Sequence, residues 1–181
     1  MIKHGAYEIR RLTPSDVPAV LDVIRDVRSY YGMAARVREL LEPGDLALLA
    51  TYQQERSAYF VALAGSVPVG GAGIAPLAGN EALTCELQRM YLRPEHHGQG
   101  LGKSLLYQCI QAAKSFDYRN CYAETVHELN GALGLYRANG FRDLTAPMGK
   151  TGHGHTDRWM LLDLGQVDGR PQQSGPPPIV S

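Results

Sequence analysis

The sequence predicts a mixed α/β domain built around a single sheet, and three observations carry that prediction. Strand-like apolar stretches alternate with stretches of helical period. One strand-like stretch switches the parity of its apolar residues midway. The same stretch then runs into a glycine-rich turn that opens a helix. With 181 residues, 44% of them apolar and 20% charged, the chain is long enough for one sizeable core.

Residues 7–12 (YEIRRL) alternate polar and apolar and predict a first strand. Thr13-Pro14-Ser15-Asp16 reads as a helix start, with Val17, Val20, Leu21, Ile24 and Val27 at helical spacing behind it. Residues 36–41 predict a second short helix, closed by Glu42-Pro43-Gly44-Asp45. Residues 57–64 and 67–74 flank Gly65-Ser66 and predict a hairpin. Gly70, Gly71 and Gly73 weaken its second strand and signal the close approach of another backbone or a ligand.

Residues 83–92 form the strand with the switch. Leu83, Cys85 and Leu87 share one face, whereas Met90 and Leu92 take the opposite parity. One extra residue between 87 and 90 restores a continuous inward face, which is a β-bulge. A helix follows with Leu101, Leu105, Leu106, Cys109, Ile110 and Ala113 in register. Residues 120–125 predict a strand and 128–138 a helix, stopped by Asn139-Gly140. Residues 141–144 and 158–164 are the last strands. The Pro/Gly/Gln-rich residues 166–181 predict a flexible C-terminal tail after a domain spanning 1–165.

Lys plus Arg equals Asp plus Glu at 18 each, so no charge excess points to nucleic acid or an anionic membrane. No apolar run is long enough to span a bilayer, and MIKHGAYEIRR does not read as a signal peptide. Three cysteines without metal-ligand spacing fit a reducing compartment, and a cytoplasmic protein is expected.

The turn itself reads HHGQGLGKS, residues 96–104. It is not the triphosphate loop G-x-x-x-x-G-K-S/T, because His97 stands where the first glycine is required. It is not the dinucleotide fingerprint either, because Gly98, Gly100 and Gly102 alternate strictly. A strand that ends in such a turn and opens a helix aims unpaired N–H groups and the positive end of the helix dipole at one spot, where an anion binds. The glycines let the backbone approach that anion, and Lys103 adds charge. A tight strand-to-helix corner with no ligand is the other reading of the glycines alone.

Leu92-Arg93-Pro94-Glu95, followed by His97-Gly98-Gln99-Gly100-Leu101-Gly102 and later by Leu135-Tyr136-Arg137-Ala138-Asn139-Gly140-Phe141, resembles the GNAT superfamily of acyl-CoA-dependent N-acyltransferases. In that family the corresponding stretches read V-x-P-E, R/Q-x-x-G-x-G/A and L-Y-x-x-x-G-F. The likeness in element order covers roughly residues 5–165, and the motifs span 85–141. It implies a single mixed, mostly antiparallel sheet flanked by helices. It also implies an N-acetyltransferase that uses acetyl-CoA as cosubstrate, needs no metal, and works by direct attack of a primary amine in a ternary complex. A module that binds acyl-CoA without catalysis is the alternative.

Residue by residue, the resemblance places the pantetheine arm on the backbone of Met90, Tyr91 and Leu92. It places the pyrophosphate on His97, Gly98, Gln99, Gly100, Leu101, Gly102 and Lys103. Tyr136 falls where many members carry a general acid for the leaving thiolate; its other reading is a core aromatic. Glu86 falls where some carry a general base, often acting through water, and is otherwise an ordinary ion-pair residue. Gln88 shares its face and is placed to orient substrate or water.

Two positions depart from the family pattern: His97 replaces Arg or Gln, and Leu129 stands where members often have Asn, with Asn130 one residue off. His153 and His155 share a face if extended but lack a third ligand, so a structural or substrate-contacting role is expected rather than a metal site. Trp159 is expected to be core. Tyr30, Tyr31, Glu42 and Asp45 fall in the family's variable acceptor-binding segment and are also readable as solvated surface. A covalent cysteine route is disfavoured, since Cys85, Cys109 and Cys121 have no evident base. The expected acceptor is a small-molecule amine, with no nucleic-acid or membrane partner, and a homodimer rests on family analogy alone.

Overall fold

The computed structural model describes residues 2–32, 45–127, 129–152, 154 and 156–165. The short helix expected at 36–41, Glu42, the tail 166–181, His153 and His155 lie outside the described residues.

One eight-stranded sheet organises the chain, in the order β1-β2-β3-β4-β5-β6-β8-β7. β1 (Ile2–His4), β2 (Tyr7–Arg11), β3 (Ala58–Ala64), β4 (Val67–Pro76) and β5 (Thr84–Leu92) form an antiparallel meander. β6 (Asn120–Thr125) then pairs parallel to β5, because a helix carries the chain back across the sheet. β8 (Arg158–Asp163) and the two-residue β7 (Arg142–Asp143) close the far edge in antiparallel pairing.

Two layers of helix cover the two faces. On one side lie α1 (Val17–Tyr30) and α2 (Asp45–Gln53); on the other lie α3 (Leu101–Ser115) and α4 (Asn130–Ala138). Strand alternation sorts β3 between them. Tyr59, Val61 and Leu63 pack with Val17, Val20 and Ile24 of α1 and Leu48 and Tyr52 of α2. Ala58, Phe60 and Ala62 pack with Leu105, Cys109 and Ala113 of α3 and Leu133 of α4. Both faces of the central strands are therefore buried, which explains why β3 and β4 read as nearly continuous apolar runs.

The structure corrects several boundaries. Asp45 opens a helix rather than closing one. α4 starts at Asn130 rather than 128, and the strand expected over 141–144 shrinks to two residues, with Phe141 buried in the core. Trp159 is only half-buried and packs at the edge of a small cluster around Leu77, Tyr122 and Leu161.

The entry to α1 is fastened by charge. Arg10 of β2 donates from Nη1 to Asp16 Oδ2 at 2.6 Å and from Nη2 to Oδ1 at 2.9 Å. The Thr13 N–H and hydroxyl donate to the same carboxylate at 2.8 and 2.6 Å. The Arg10 guanidinium and the Thr13 donors hold the Asp16 carboxyl down, from 3.8 to about 2. A second arginine, Arg56, joins the C-terminus of α3 to the β4–β5 connection. It stacks 4.0 Å from the Tyr118 ring and donates to the carbonyls of Phe116, Glu81 and Ala82.

Asp16→Asn is expected to cost about 1–2 kcal/mol at neutral pH, as charged hydrogen bonds are lost. The carboxyl ionises more readily folded than unfolded, so its stabilisation is full above 3.8 and disappears as pH falls through about 2. Melting curves of wild type and variant should therefore differ at pH 7 and converge on acidification; a gap independent of pH contradicts this account.

Candidate active site

The site begins at the irregularity in β5. Gly71 faces Tyr91 and Gly73 faces Gln88, so Arg89 and Met90 together stand opposite the single residue Ala72. Arg89 takes a left-handed backbone with φ 48°. This is the extra residue that the parity switch between 87 and 90 predicts. Beyond it the sheet opens: β5 pairs with β6 only from Thr84–Asn120 to Leu87–Ala123, yet β5 runs on to Leu92 and β6 to Thr125. The two parallel strands part after Leu87, leaving the edge of β5 that faces the gap without ladder partners there.

The glycines of β4 are the counterpart of this opening. A Cβ on Gly71 would sit 2.5 Å from the Tyr59 ring, and one on Gly73 would sit 2.6 Å from both the Tyr52 and Tyr59 rings. A Cβ on Gly70 would meet Leu92 Cδ1 at 2.6 Å and the Tyr91 carbonyl at 2.8 Å. The close approach expected from the sequence is thus made by two tyrosine rings and by β5 itself. The Tyr59 hydroxyl donates to the Arg89 carbonyl at 3.1 Å, fastening the bulged residue from below.

Beyond β5, the chain makes a short turn at Pro94–His96 and enters the glycine loop. Gly98 and Gly100 both have positive φ, 74° and 78°, and Gly100 is the residue that caps α3. The first bond inside the helix runs from the Ser104 N–H to the Gly100 carbonyl, so the N–H groups of Leu101, Gly102 and Lys103 have no intrahelical acceptor. Among the described residues, and its two chain neighbours apart, no heavy atom lies within 4 Å of where a Gly98 Cβ would be, so that side of the loop is open to them.

A cleft of about 350 Å³ runs between the parted β5 and this helix end. Met90, Tyr91, Leu92, His97, Gly98, Gly100, Gly102 and Lys103 all line it. Val27 and Tyr31 of the α1 end close one side, and Leu129, Gly131, Ala132 and Leu135 close the other. Eight of the ten residues expected at the cofactor are therefore brought to one cleft. The other two support it. Leu101 is fully buried under the loop, and the Gln99 side chain accepts a hydrogen bond from Tyr7 at 2.8 Å. His96 shares that anchor, its Nδ1 lying 3.0 Å from the Tyr7 hydroxyl.

His97 behaves differently from an arginine at the same place. Its Nε2 lies 2.8 Å from the Leu92 carbonyl, so this nitrogen carries the proton and the ring is turned back onto β5. Leu129, at the departure from the family pattern, presents an apolar side chain to the cleft.

Tyr136 lies on the α3/α4 face beneath the cleft, its hydroxyl 3.7 Å from Met90 Sδ. Burial pushes its phenol well up, so it remains protonated at neutral pH. Glu86 lies on the other face. It is 4% exposed and accepts a 2.7 Å bond from Gln88 Nε2. Gln88 Oε1 in turn accepts from the Tyr52 hydroxyl at 3.1 Å, and Tyr52 accepts from Arg89 Nη1 at 3.1 Å. Burial pushes Tyr52 up to about 12, so this chain of donors keeps its direction, from Arg89 to Glu86. Tyr52, Tyr59 and Arg89 escape a reading of sequence alone. Their trace there is the run of β4 glycines, which marks where rings must lie.

The cysteines do not join the site: all three are free and buried, and burial pushes the Cys109 thiol up, while Cys121 is raised by its side-chain hydrogen bond with the Cys85 thiol and by burial. Among the described residues, no helix is long and apolar enough to cross a membrane.

Comparison with known proteins agrees with this geometry. Residues 24–141 match the acetyltransferase (GNAT) family. The chain is 39% identical over 157 residues to the uncharacterized N-acetyltransferase YjgM of Escherichia coli (strain K12), covering 86% of this chain and 94% of that protein. Among solved structures, a GNAT-family acetyltransferase of Staphylococcus aureus Mu50 superposes with a TM-score of 0.78 at 18% identity, covering 88% of this chain and 99% of that one. The PaiA N-acetyltransferase of Thermoplasma acidophilum, in complex with coenzyme A, does so at 0.70 and 21% identity, over 87% and 98%.

Gly71→Ala is expected to destabilise the protein by about 1–3 kcal/mol, since the added Cβ overlaps the Tyr59 ring. Tyr59→Phe keeps the ring but leaves the Arg89 carbonyl without its donor, a loss of about 1 kcal/mol. Denaturant titration of both variants checks the ranking; an undiminished Gly71→Ala would show that the ring does not need the space.

Proposed function

The chain belongs to the GNAT acetyltransferase family and is an acyltransferase, and on that premise we propose that it moves the acetyl group of acetyl-CoA onto the primary amine of a small-molecule acceptor by direct attack in a ternary complex. The observation that carries this reading is the parting of β5 from β6 beside a helix N-terminus with open glycines. An extended arm with amide groups meets the backbone of Met90, Tyr91 and Leu92 where β5 has no β6 partner, the Leu92 carbonyl being shared with His97 Nε2. A pyrophosphate finds the free N–H groups at the start of α3, the helix dipole and the exposed Lys103. The coenzyme A bound to the Thermoplasma relative supports the same assignment. His97 contributes through its backbone and its hold on Leu92 rather than as a phosphate ligand.

The chemistry needs the amine to lose a proton, the tetrahedral oxyanion to be stabilised and the thiolate to be protonated as it leaves. Tyr136 supplies the last proton, since burial keeps its phenol intact until the sulfur becomes basic. Backbone N–H groups released where the ladder ends near Met90 face the developing oxyanion. Glu86, held by Gln88, receives the amine proton directly or through water from the opposite face of the sheet. The equal counts of basic and acidic residues give no net charge to attract a nucleic acid or a strongly charged peptide tail, which favours a small acceptor.

Calorimetric titration should show acetyl-CoA binding, with ATP and NAD inert; absence of binding would return the loop to the status of a structural corner. Tyr136→Phe should lower kcat about 100-fold or more while leaving acetyl-CoA affinity unchanged. Unaltered turnover removes Tyr136 from the mechanism.

A further inference from the structure

The arginines of this protein mostly have evident tasks. Arg10, Arg93 and Arg137 face carboxylates at 2.6–2.8 Å, and Arg56 is spent on three carbonyls. Arg89 differs. Arg89 is half-buried as a residue, its hydrogen bond among the described residues goes to the neutral Tyr52 hydroxyl, and its guanidinium carbon lies 5.8 Å from the Tyr52 ring. No carboxylate of the described residues pairs with it. A guanidinium has five N–H donors in a planar fork, and with one of them on Tyr52 most of this fork remains available to an anion.

Its position says which anion. The phosphate-attracting loop and the start of α3 lie on the α3/α4 face, with Leu101 and Leu105 in that cluster. Arg89 reaches to Tyr52, which belongs to the α1/α2 cluster on the other side of the sheet. That is also the side of Glu86, because Gln88 bonds both the Tyr52 hydroxyl and the Glu86 carboxylate. The relay from Arg89 through Tyr52 and Gln88 ends at Glu86, so one polar chain carries a cation at one end and a carboxylate at the other. One guanidinium matches the single charge of a carboxylate, and its fork matches the two oxygens.

We propose that the acceptor is an amine that also bears a carboxylate, an amino-acid-like molecule, and that Arg89 is the residue that receives this carboxylate while the amine faces Glu86. This rests on the acetyl-transfer reading above and adds the chemical class of the acceptor. Arg89 is thereby a specificity residue, and Tyr52 positions it through the ring and the hydroxyl.

The test is thiol release from acetyl-CoA with a panel of α- and ω-amino acids, each beside its own carboxamide. Wild type should favour at least one acid over its amide by about 10- to 100-fold in kcat/KM, the range set by a charged hydrogen-bonded pair. Arg89→Gln should erase that preference and Arg89→Lys retain part of it, with acetyl-CoA titrations of wild type and Arg89→Gln superimposable. Amides accepted as well as acids, a preference that survives Arg89→Gln, or no acid turned over by a protein that binds acetyl-CoA would each overturn the proposal. Should a variant fail to fold, the wild-type acid-to-amide ratio decides alone. Wild type that does not bind acetyl-CoA overturns the transfer reading itself, and this inference with it.

Discussion

The hydrogen bond from the Tyr59 hydroxyl to the Arg89 carbonyl holds the one residue too many in β5. An inserted residue costs ladder bonds and, at φ 48°, left-handed strain. It persists because the surroundings are built for it. Tyr59 lies across Gly71 and Gly73, Tyr52 packs 4.9 Å from Tyr59, and both rings fill space that any larger residue in β4 would close. Bending at this point is what turns β5 away from β6, and the cleft exists only because the two strands part. The core beneath is thus tied to the opening above by a ring, a hydroxyl and two missing Cβ atoms.

That opening divides labour between the faces of the sheet. The α3/α4 face carries the free helix N–H groups, the open glycine loop and a tyrosine kept neutral by burial, a suitable setting for a negatively charged carrier and a leaving thiolate. The α1/α2 face carries Glu86, Gln88, Tyr52 and the Arg89 guanidinium, a setting that can take up a proton and bind charge on a second substrate. Two substrates can approach one reacting centre from opposite sides without competing for the same polar groups. The direct transfer proposed above needs that arrangement and gives the buried cysteines no part.

Much of this was legible in the order of residues. Period-2 and period-3.6 apolar patterns located β2, α1, β3, β4, β6 and α4 within a few residues, because each buries one stripe or face against the sheet. The parity break at 87–90 located the bulge, since a strand with one buried side cannot change face without an insertion. By contrast, α2 was not legible: Leu46, Ala47, Leu48 and Leu49 run consecutively apolar and give no helical period to read. β1 is three residues long, too short to leave a pattern, and the pattern over 141–144 overstated a β7 of two residues.

By itself, then, the sequence determined the elements that bury an apolar face and the loop whose glycines leave backbone donors exposed. Both follow from local chemistry, the period of side chains along a chain and the absence of a Cβ. Only the tertiary structure decided the contents of the α1/α2 side of the site. Tyr52, Tyr59 and Arg89 are separated by up to 37 residues and meet only when α2 and β3 are packed against the bulge. The direction of their hydrogen bonds depends on burial, which keeps the Tyr52 phenol protonated between a guanidinium and an amide. Burial is a property of the folded whole, so no stretch of sequence carries it.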